Sequence, residues 1–282
     1  MVRYLLTLTC PDRPGIVRAM AQGIVAVGGN ILENAQFSDP ATGTFCVRTG
    51  FETVEEDLGA VRRALSQELV SFSPTLAIRP EDCRRRAIVM VSKLDHCLVD
   101  LLYRLRMGEL PIEVPLVVSN HTDLREVARR EGVEFEHVPV TPDTKPAAEA
   151  KLLDLVKAYR ADFVILARYM QVLSDDLCRQ MPGRIINIHH SFLPGFKGAR
   201  PYHQAYQRGV KLIGATAHYV TADLDEGPII EQDVVRVGHG QSVDDLVILG
   251  RDVERVVLAR AVALHAEERV MLAGPRTIVF RP

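Results

Sequence analysis

The second part of the chain contains short runs of mainly apolar residues separated by longer segments of mixed character. Four such runs occupy residues 87–91, 114–118, 163–167 and 185–188. Runs rich in Val, Ile and Leu are typical of strands buried on both faces, as the strands of a parallel sheet are. The segments between them are long enough for helices that cross over the sheet. The pattern predicts a doubly wound α/β domain with a mostly parallel sheet over residues 87–282.

The intervening segments repeat apolar residues at the three- and four-residue spacing of amphipathic helices. Helices are predicted at 98–105, 124–131 and 147–159. A longer closing helix is predicted at 243–269, followed by a strand at 278–280. This alternation of helices and strands is the arrangement that places helices on both faces of one sheet.

The first 79 residues have a different pattern and predict a separate small domain. Strands and helices alternate there in the order βαββαβ, with strands at 3–9, 31–37, 44–51 and 75–78 and helices at 16–27 and 54–69. Two helices against a four-stranded antiparallel sheet form a ferredoxin-like domain. Residues 80–86 are polar and charged, and we interpret them as a linker between the two domains.

Composition excludes several classes of protein. Lys and Arg number 34 against 36 Asp and Glu, so the chain lacks the basic surplus of a nucleic-acid-binding protein. No stretch approaches the ~20 apolar residues that span a membrane, and the start of the chain lacks the features of a signal peptide, so we expect a cytoplasmic protein. The five cysteines are scattered without a Cys-x-x-Cys pair, which argues against a disulfide framework and a structural zinc site.

The densest group of polar residues begins at Asn187, inside the run at 185–188, and continues directly after that run. Asn187 and His189 are two residues apart, so on a strand both side chains point to the same face. Asp225 lies in an acidic turn between the apolar segments 215–220 and 229–235. An amide can stabilise an oxyanion, an imidazole can move protons near neutral pH, and a carboxylate can orient the imidazole. These residue types indicate attack by a bound nucleophile on a carbonyl group, because no Gly-x-Ser-x-Gly motif or neighbouring cysteine is present.

Two other interpretations of the histidines remain open. Most single histidines are structural, and we interpret His190, His203 and His218 as structural residues or as residues that support the catalytic ones from behind. A metal site formed by His189, His203, His218 and Asp225 is the other possibility, but no His-Glu-x-x-His or similar spacing supports it. We therefore expect no catalytic metal and no other cofactor.

Residues 184–232 resemble the folate-dependent formyltransferase family. The shared motifs are an Asn-x-His pair, a Ser-x-Leu-Pro loop and an Asp-x-Gly-Pro-Ile turn. The resemblance covers about residues 87–282 and implies that Asn187, His189 and Asp225 are the catalytic residues. It also implies that the segment 166–173 lines a pterin pocket. The substrate-binding residues expected on this basis are Met170, Gln171, Val172, Leu173, Val220 and Leu224.

Two further segments indicate a particular branch of that family. The loop 92–97 contains no glycine, whereas the glycinamide ribonucleotide transformylases hold a substrate phosphate in a glycine-rich loop at this place. The pattern of residues 92–102 instead resembles formyltetrahydrofolate deformylases. Residues 10–17 resemble the start of an ACT domain, and an ACT domain followed by a formyltransferase-like domain is the organisation of these deformylases.

The deformylase resemblance implies an activity and a mode of control. The activity is hydrolysis of 10-formyltetrahydrofolate to formate and tetrahydrofolate, which supplies formate for purine biosynthesis and balances the one-carbon folate pool. The ACT resemblance implies an amino-acid effector, such as glycine or methionine, at an interdomain or intersubunit site near Gly15 and Asn30. It also implies a homodimer or homotetramer.

Three alternatives stay open at this point. The chain could transfer the formyl group to an amine acceptor, or it could be an amino-acid sensor without catalytic activity. Residues 1–79 could serve assembly alone. The sequence also leaves open whether His96 or His203 assists in activating water.

Overall fold

The computed structural model describes residues 1–195 and 201–282. These residues form two compact units: Met1–Arg84 together with Glu267–Pro282, and Arg85–Ala266. The sequence predicts a linker at 80–86 and assigns everything after it to the second domain. The structure differs at the C-terminus, because Glu267–Pro282 clusters with the N-terminal unit.

The N-terminal unit contains a four-stranded antiparallel sheet with strand order β2-β3-β1-β4. This is the ferredoxin-like arrangement that the sequence predicts. Its elements are β1 (Val2–Pro11), α1 (Ile16–Ala26), β2 (Asn30–Asp39), β3 (Thr44–Thr53), α2 (Leu58–Leu69) and β4 (Thr75–Pro80).

Helix α2 begins four residues later than the apolar spacing predicts. Asp57 caps it, because its carboxylate accepts hydrogen bonds from the backbone N–H groups of Gly59 at 2.8 Å and Ala60 at 3.1 Å. An N-cap carboxylate satisfies amide groups that have no partner inside the helix. Val54 lies before this cap and is exposed, so it does not belong to the apolar face of the helix.

Helices α1 and α2 approach each other closely at Gly23. A Cβ atom added there would lie 2.9 Å from Cδ2 of Leu65 and 3.0 Å from its Cα atom. Gly23, Leu65 and the neighbouring Met20 and Ile24 are buried. The contact between the two helices therefore depends on the absence of a side chain at residue 23.

The C-terminal segment forms a hairpin, not the single strand expected at 278–280. Strands β12 (Val270–Ala273) and β13 (Arg276–Val279) pair across a turn at Gly274, and the preceding helix ends at Ala266 instead of residue 269. Buried Arg48 of β3 donates to the Glu267 carbonyl at 2.8 Å. The sequence pattern misses β12 because a strand of four residues shows too little periodicity.

The second unit contains a seven-stranded sheet with strand order β11-β10-β9-β8-β5-β6-β7. Strands β5 to β9 are parallel, and β10 and β11 are antiparallel additions at one edge. Its elements are β5 (Arg85–Val91), α3 (His96–Arg106), β6 (Ile112–Ser119), α4 (Arg125–Arg130), β7 (Glu134–His137), α5 (Lys145–Ala158), β8 (Phe163–Leu166), α6 (Asp175–Gln180), β9 (Ile185–His189), α7 (Pro201–Arg208), β10 (Leu212–Tyr219), β11 (Ile229–Arg236) and α8 (Val243–Ala266).

The chain reverses direction in the middle of this sheet. It proceeds outward from β5 through β6 to β7, and then returns to β8 on the other side of β5. Ligands of open α/β sheets bind at the carboxyl ends of the strands beside such a switch point. The ends of β5, β8 and β9 are therefore the expected place for a site. Among residues 1–195 and 201–282, no helix has the length and apolar character needed to cross a membrane.

The close contact at Gly23 leads to a stability prediction. Gly23→Ala should lower the free energy of unfolding by about 1–2 kcal/mol, because overpacking costs more than the helix propensity that alanine adds. Thermal and urea unfolding of the purified variant measure this effect. Gly240→Ala is the matched control, since a Cβ atom there meets nothing within 4 Å. Equal stabilities of the two variants would contradict the packing argument.

Candidate active site

A cavity of about 480 Å³ opens at the carboxyl ends of β8 and β9. Its walls come from residues 168–173 after β8, 187–190 at the end of β9 and 220–225 after β10, together with Leu166 and His218. All nine catalytic and substrate-binding residues predicted from the sequence line it. They are Asn187, His189, Asp225, Met170, Gln171, Val172, Leu173, Val220 and Leu224.

Four polar side chains meet inside this cavity. His189 Nδ1 lies 3.2 Å from Asp225 Oδ1, and these side chains are 6% and 9% exposed. Asn187 Nδ2 lies 3.2 Å from His218 Nε2. His218 Nε2 is also 3.8 Å from Asp225 Oδ1, which is too long for a hydrogen bond. The antiparallel pairing of β10 with β9 creates this group, because it sets His218 opposite Asn187.

The hydrogen bonds of His218 fix its tautomer. Its Nδ1 lies 2.9 Å from the Tyr219 carbonyl oxygen, which can only accept, so Nδ1 carries a proton. Burial lowers the pKa of His218, so the ring is neutral and Nε2 accepts from the Asn187 amide. This orients the Asn187 amide and leaves its second N–H for a ligand. From the sequence alone, two roles were open for His218, structural or supporting a catalytic residue, and its contact with Asn187 fits the second.

The turn after β10 aims Asp225 at His189. Asp225 has φ 57°, a left-handed conformation that Asp adopts more readily than most residues. Burial would raise the pKa of its carboxyl group, but the hydrogen bond and charge of His189 outweigh this and lower it. Asp225 is therefore ionised at neutral pH. His189 Nε2 is buried and makes no hydrogen bond to any residue that the structure describes.

The same turn requires glycine at residue 227. A Cβ atom there would overlap the backbone carbonyl of Tyr219, so any other residue would force the turn away from β10. The Tyr219 carbonyl is also the group that fixes the His218 tautomer. Gly227 of the Asp-x-Gly-Pro-Ile motif thus allows Asp225 and His218 to take up their positions together.

Residues 170–173 form a wall with exposed apolar side chains. Met170 and Val172 are more than half exposed, as is Leu224 across the cavity. The backbone N–H of Met170 donates to Ser92 Oγ at 2.9 Å, and Ser92 Oγ donates to Asn120 Oδ1 at 2.7 Å. The loop after β5 therefore holds this wall in place. Neither Ser92 nor Asn120 was singled out from the sequence, because this contact joins distant segments.

The structure separates the two residues expected to bind an effector. Gly15 precedes α1 and Asn30 follows it, so they lie at opposite ends of that helix. At ~1.5 Å per residue an eleven-residue helix is about 16 Å long, which exceeds the reach of one small amino acid. Both residues are exposed. A single effector molecule cannot contact both of them within one chain.

The metal site considered from the sequence does not form. His203 is exposed on α7 and lies outside the cavity that contains His189, His218 and Asp225. A different group, His96, Cys97 and Glu254, is close enough to bind an ion among the described residues. Its chemistry does not fit one. Burial, and then the negative charge of Glu254, raises the pKa of the Cys97 thiol well above its usual value, and Arg168 already lies 3.4 Å from Glu254.

Neither histidine that could have assisted water activation lines the cavity. His96 Nε2 instead hydrogen bonds to Glu254 Oε2 at 2.8 Å. Arg168 and Tyr169 belong to the segment 166–173 that the resemblance places at the pocket, although neither is among the substrate-binding residues expected from it. The buried Glu254 behind them was missed from the sequence. Glu254 lies on a helix with otherwise ordinary apolar spacing, and a charged residue at an inward position was the signal that could have found it.

The fold and the cavity define a formyl transferase domain. A family model described as "Formyl transferase" matches residues 85–262. A "Formyltetrahydrofolate deformylase" from Corynebacterium sp. (strain P-1) is 49% identical over 99% of both chains, and one from Bacillus subtilis (strain 168) is 44% identical over 98% of this chain and 93% of its own. The chain therefore belongs to the formyltetrahydrofolate deformylase family and is an enzyme of the hydrolase class.

Solved structures agree with this family. A formyltetrahydrofolate deformylase from Pseudomonas syringae pv. tomato superposes with a TM-score of 0.96 at 45% identity, covering 100% of this chain and 95% of its own. One from Burkholderia mallei gives 0.95 at 48% identity, with both chains fully covered. A glycinamide ribonucleotide transformylase from Symbiobacterium toebii gives 0.66 at 36% identity and covers 70% of this chain and 95% of its own.

His190, beside His189 in the cavity, leads to a prediction about acid stability. Burial, and then the positive charge of Arg168, lowers the pKa of His190 to about 3, compared with 6.5 for an ordinary histidine. As the pH falls below about 6.5, the unfolded chain binds a proton that the folded chain does not bind, so stability falls. Between pH 7 and pH 5 this costs up to about 2 kcal/mol.

His190→Gln should remove this cost, so the variant should lose less stability on acidification than the original protein. Urea unfolding at pH 7 and pH 5 measures the difference. His239→Gln, at an exposed histidine, is the control and should behave like the unmodified chain. The same acid sensitivity in all three proteins would contradict a buried neutral His190.

Proposed function

We propose that this enzyme hydrolyses 10-formyltetrahydrofolate to formate and tetrahydrofolate, with Asn187, His189 and Asp225 as its catalytic residues. The main support is the convergence of these three side chains in one cavity that also has an apolar wall. The relatives, which are similar over nearly the whole chain, are formyltetrahydrofolate deformylases, and this supports the same substrate. Hydrolysis transfers no electrons, so the proposed reaction requires no redox cofactor.

The shape of the cavity suits a folate. Its volume of about 480 Å³ lies within the ~300–1,000 Å³ typical of small-molecule sites. The apolar wall of Met170, Val172 and Leu173, with Val220 and Leu224, offers packing for a flat ring. The family resemblance implies that backbone groups of the segment 166–173 also contribute to the pterin pocket. In this proposal the pterin lies against this wall and the formyl group lies beside Asn187 and His189.

The proposed reaction is direct attack by water. Asp225, together with His189, accepts the proton that the water loses as its oxygen bonds to the formyl carbon. The formyl oxygen then carries the negative charge of a tetrahedral intermediate. The proton held by Asp225 and His189 passes to N10 as the C–N bond breaks, which gives the N–H group of tetrahydrofolate. The formic acid loses its remaining proton to solvent and leaves as formate. The lowered pKa of Asp225 keeps its carboxylate ionised at neutral pH, so that it is able to take up the first proton.

Asn187 and His189 stabilise the oxyanion in this proposal. The second N–H of the Asn187 amide is available because His218 engages the first. In its protonated form, His189 donates to the oxyanion from Nε2, the ring nitrogen that Asp225 does not engage. Donors held in place before the reaction stabilise charge without the cost of reorganising. His218 is a positioning residue, since it acts through Asn187.

Formyl transfer to a phosphorylated amine is the nearest alternative. The loop after β5 has no glycine, and its Ser92 hydroxyl already bonds to Met170 and Asn120. The decisive test supplies 10-formyltetrahydrofolate without an acceptor and measures formate. We expect formate release that does not change when glycinamide ribonucleotide is added. Formyl transfer that requires the acceptor would overturn the proposal.

The oxyanion role of Asn187 gives a specific expectation. Asn187→Ala should reduce kcat by about 10²–10³-fold with little change in KM, because the lost interaction forms chiefly in the transition state. Steady-state kinetics of formate release measure both values. Gln171→Ala, in the apolar wall, is the matched control and should alter KM more than kcat. Near-normal kcat for Asn187→Ala would remove this mechanism.

We also propose that the N-terminal unit is an ACT domain that regulates the enzyme and joins chains into a homodimer or homotetramer. Edge strand β2 supports assembly into oligomers, because nearly all of this strand is exposed, including Ile31, Leu32 and Phe37. An effector that contacts both Gly15 and Asn30 then needs these residues from different chains. Light scattering would test assembly, and calorimetric titration with glycine and methionine would test binding. A monomer that binds neither would refute the regulatory proposal.

The family resemblance gives the proposed physiological role: formate for purine biosynthesis and balance between formylated and free tetrahydrofolate. Deletion of the gene should create a need for added formate or purines when formate is otherwise limiting. Unchanged growth under those conditions would contradict this role.

A further inference from the structure

The cavity contains a buried positive charge that the proposed mechanism does not use. Arg168 lines the cavity together with His189 and His190, and the residue is 8% exposed. Its side chain makes no hydrogen bond to the residues in the described part of the chain, and its Nε is buried. A guanidinium has five N–H donors, and burying them without acceptors is costly. Arg168 is therefore well suited to bind a ligand that offers hydrogen-bond acceptors.

Glu254 holds this guanidinium in place. The Glu254 residue is 1% exposed, and its Oε2 lies 3.4 Å from Arg168 Nε. Burial would raise the pKa of this carboxyl group, but the His96 hydrogen bond and the charge of Arg168 outweigh it, so the pKa is lowered. The carboxylate is thus ionised and compensates the buried positive charge without forming a close hydrogen bond to it.

Both carboxylate oxygens of Glu254 form hydrogen bonds with residues other than Arg168. His96 Nε2 lies 2.8 Å from Oε2, and the Tyr202 hydroxyl donates to Oε1 at 2.6 Å. Gly250, one turn earlier on α8, makes room for Tyr202, since a Cβ atom there would overlap the phenol ring. These contacts anchor Glu254 from two sides. They also leave the guanidinium of Arg168 able to bind a second carboxylate.

We propose that Arg168, positioned by Glu254, is the subsite for the formate anion that the reaction releases; this rests on the proposed function. A guanidinium presents paired N–H groups that match the two oxygens of a carboxylate. Formate is the one product that carries such a group at the reacting carbon. The same charge disfavours an amine acceptor, which would become cationic as it attacked. Arg168 thereby favours water as the nucleophile.

The glutamate portion of the folate is a second source of the same carboxylate chemistry. The position of Arg168 favours formate. Its positive charge is among the causes that lower the pKa of His190, the neighbour of His189, so the guanidinium is close to the catalytic histidines. Formate forms beside His189, whereas the glutamate lies at the far end of the folate from its pterin.

The test replaces the guanidinium without straining the backbone. Arg168 has φ 63°, a conformation that glycine adopts freely, so Arg168→Gly preserves the turn. Formate should bind this variant about 10- to 100-fold more weakly, as expected for losing a charge-assisted pair. Line broadening of ¹³C-formate measures binding without turnover, and product inhibition measures it during turnover. Millimolar guanidinium chloride should restore part of the binding.

Arg160→Gly is the matched control, because Arg160 is an exposed arginine with φ 50° that does not line the cavity. It should bind formate like the unmodified enzyme. Unchanged formate binding by Arg168→Gly would overturn the proposal. So would a rise in KM seen with 10-formyltetrahydrofolate but absent with 10-formyltetrahydropteroate, which lacks glutamate. Failure of the unmodified enzyme to release formate would instead refute the proposed function.

Discussion

The antiparallel pairing of β10 with β9 is the constraint on which the site depends. It sets His218 opposite Asn187 and Thr216 opposite His189, so one strand register positions both partners. A shift by one residue would turn His218 to the other face of the sheet and leave the Asn187 amide without its acceptor. Backbone pairing therefore places these side chains more rigidly than a loop would.

The turn that follows β10 completes this arrangement from the other side. It approaches Tyr219 so closely that residue 227 must be glycine, and it holds Asp225 in a left-handed conformation. The two features are coupled, because the Tyr219 carbonyl also binds the protonated nitrogen of His218. Orientation of His189 by Asp225 and of Asn187 by His218 thus depends on one tight backbone approach.

Behind the cavity, a buried carboxylate takes the place that an apolar core residue would normally occupy. Glu254 on α8 accepts hydrogen bonds from α3 and α7 and faces the charge of Arg168 at the end of β8. Removing Glu254 would leave the Arg168 guanidinium buried and uncompensated, whereas Glu254 keeps its hydrogen bonds to His96 and Tyr202 when Arg168 is removed. Burying this pair of charges lowers the stability of the folded chain, which supports a role for the pair in ligand binding.

The sequence by itself determined the two fold types, the central strands and the cavity residues from Asn187 to Asp225. Strands that are buried on both faces can be recognised in the sequence as apolar runs. The motif residues lie within or directly beside those strands. It could not determine strand β7, whose Glu-Phe-Glu-His composition is that of an exposed edge, or the C-terminal hairpin. Only the tertiary structure brought Arg168 to Glu254 and Ser92 to Met170. Those contacts join segments far apart in the chain, and no local periodicity encodes which distant side chains will meet.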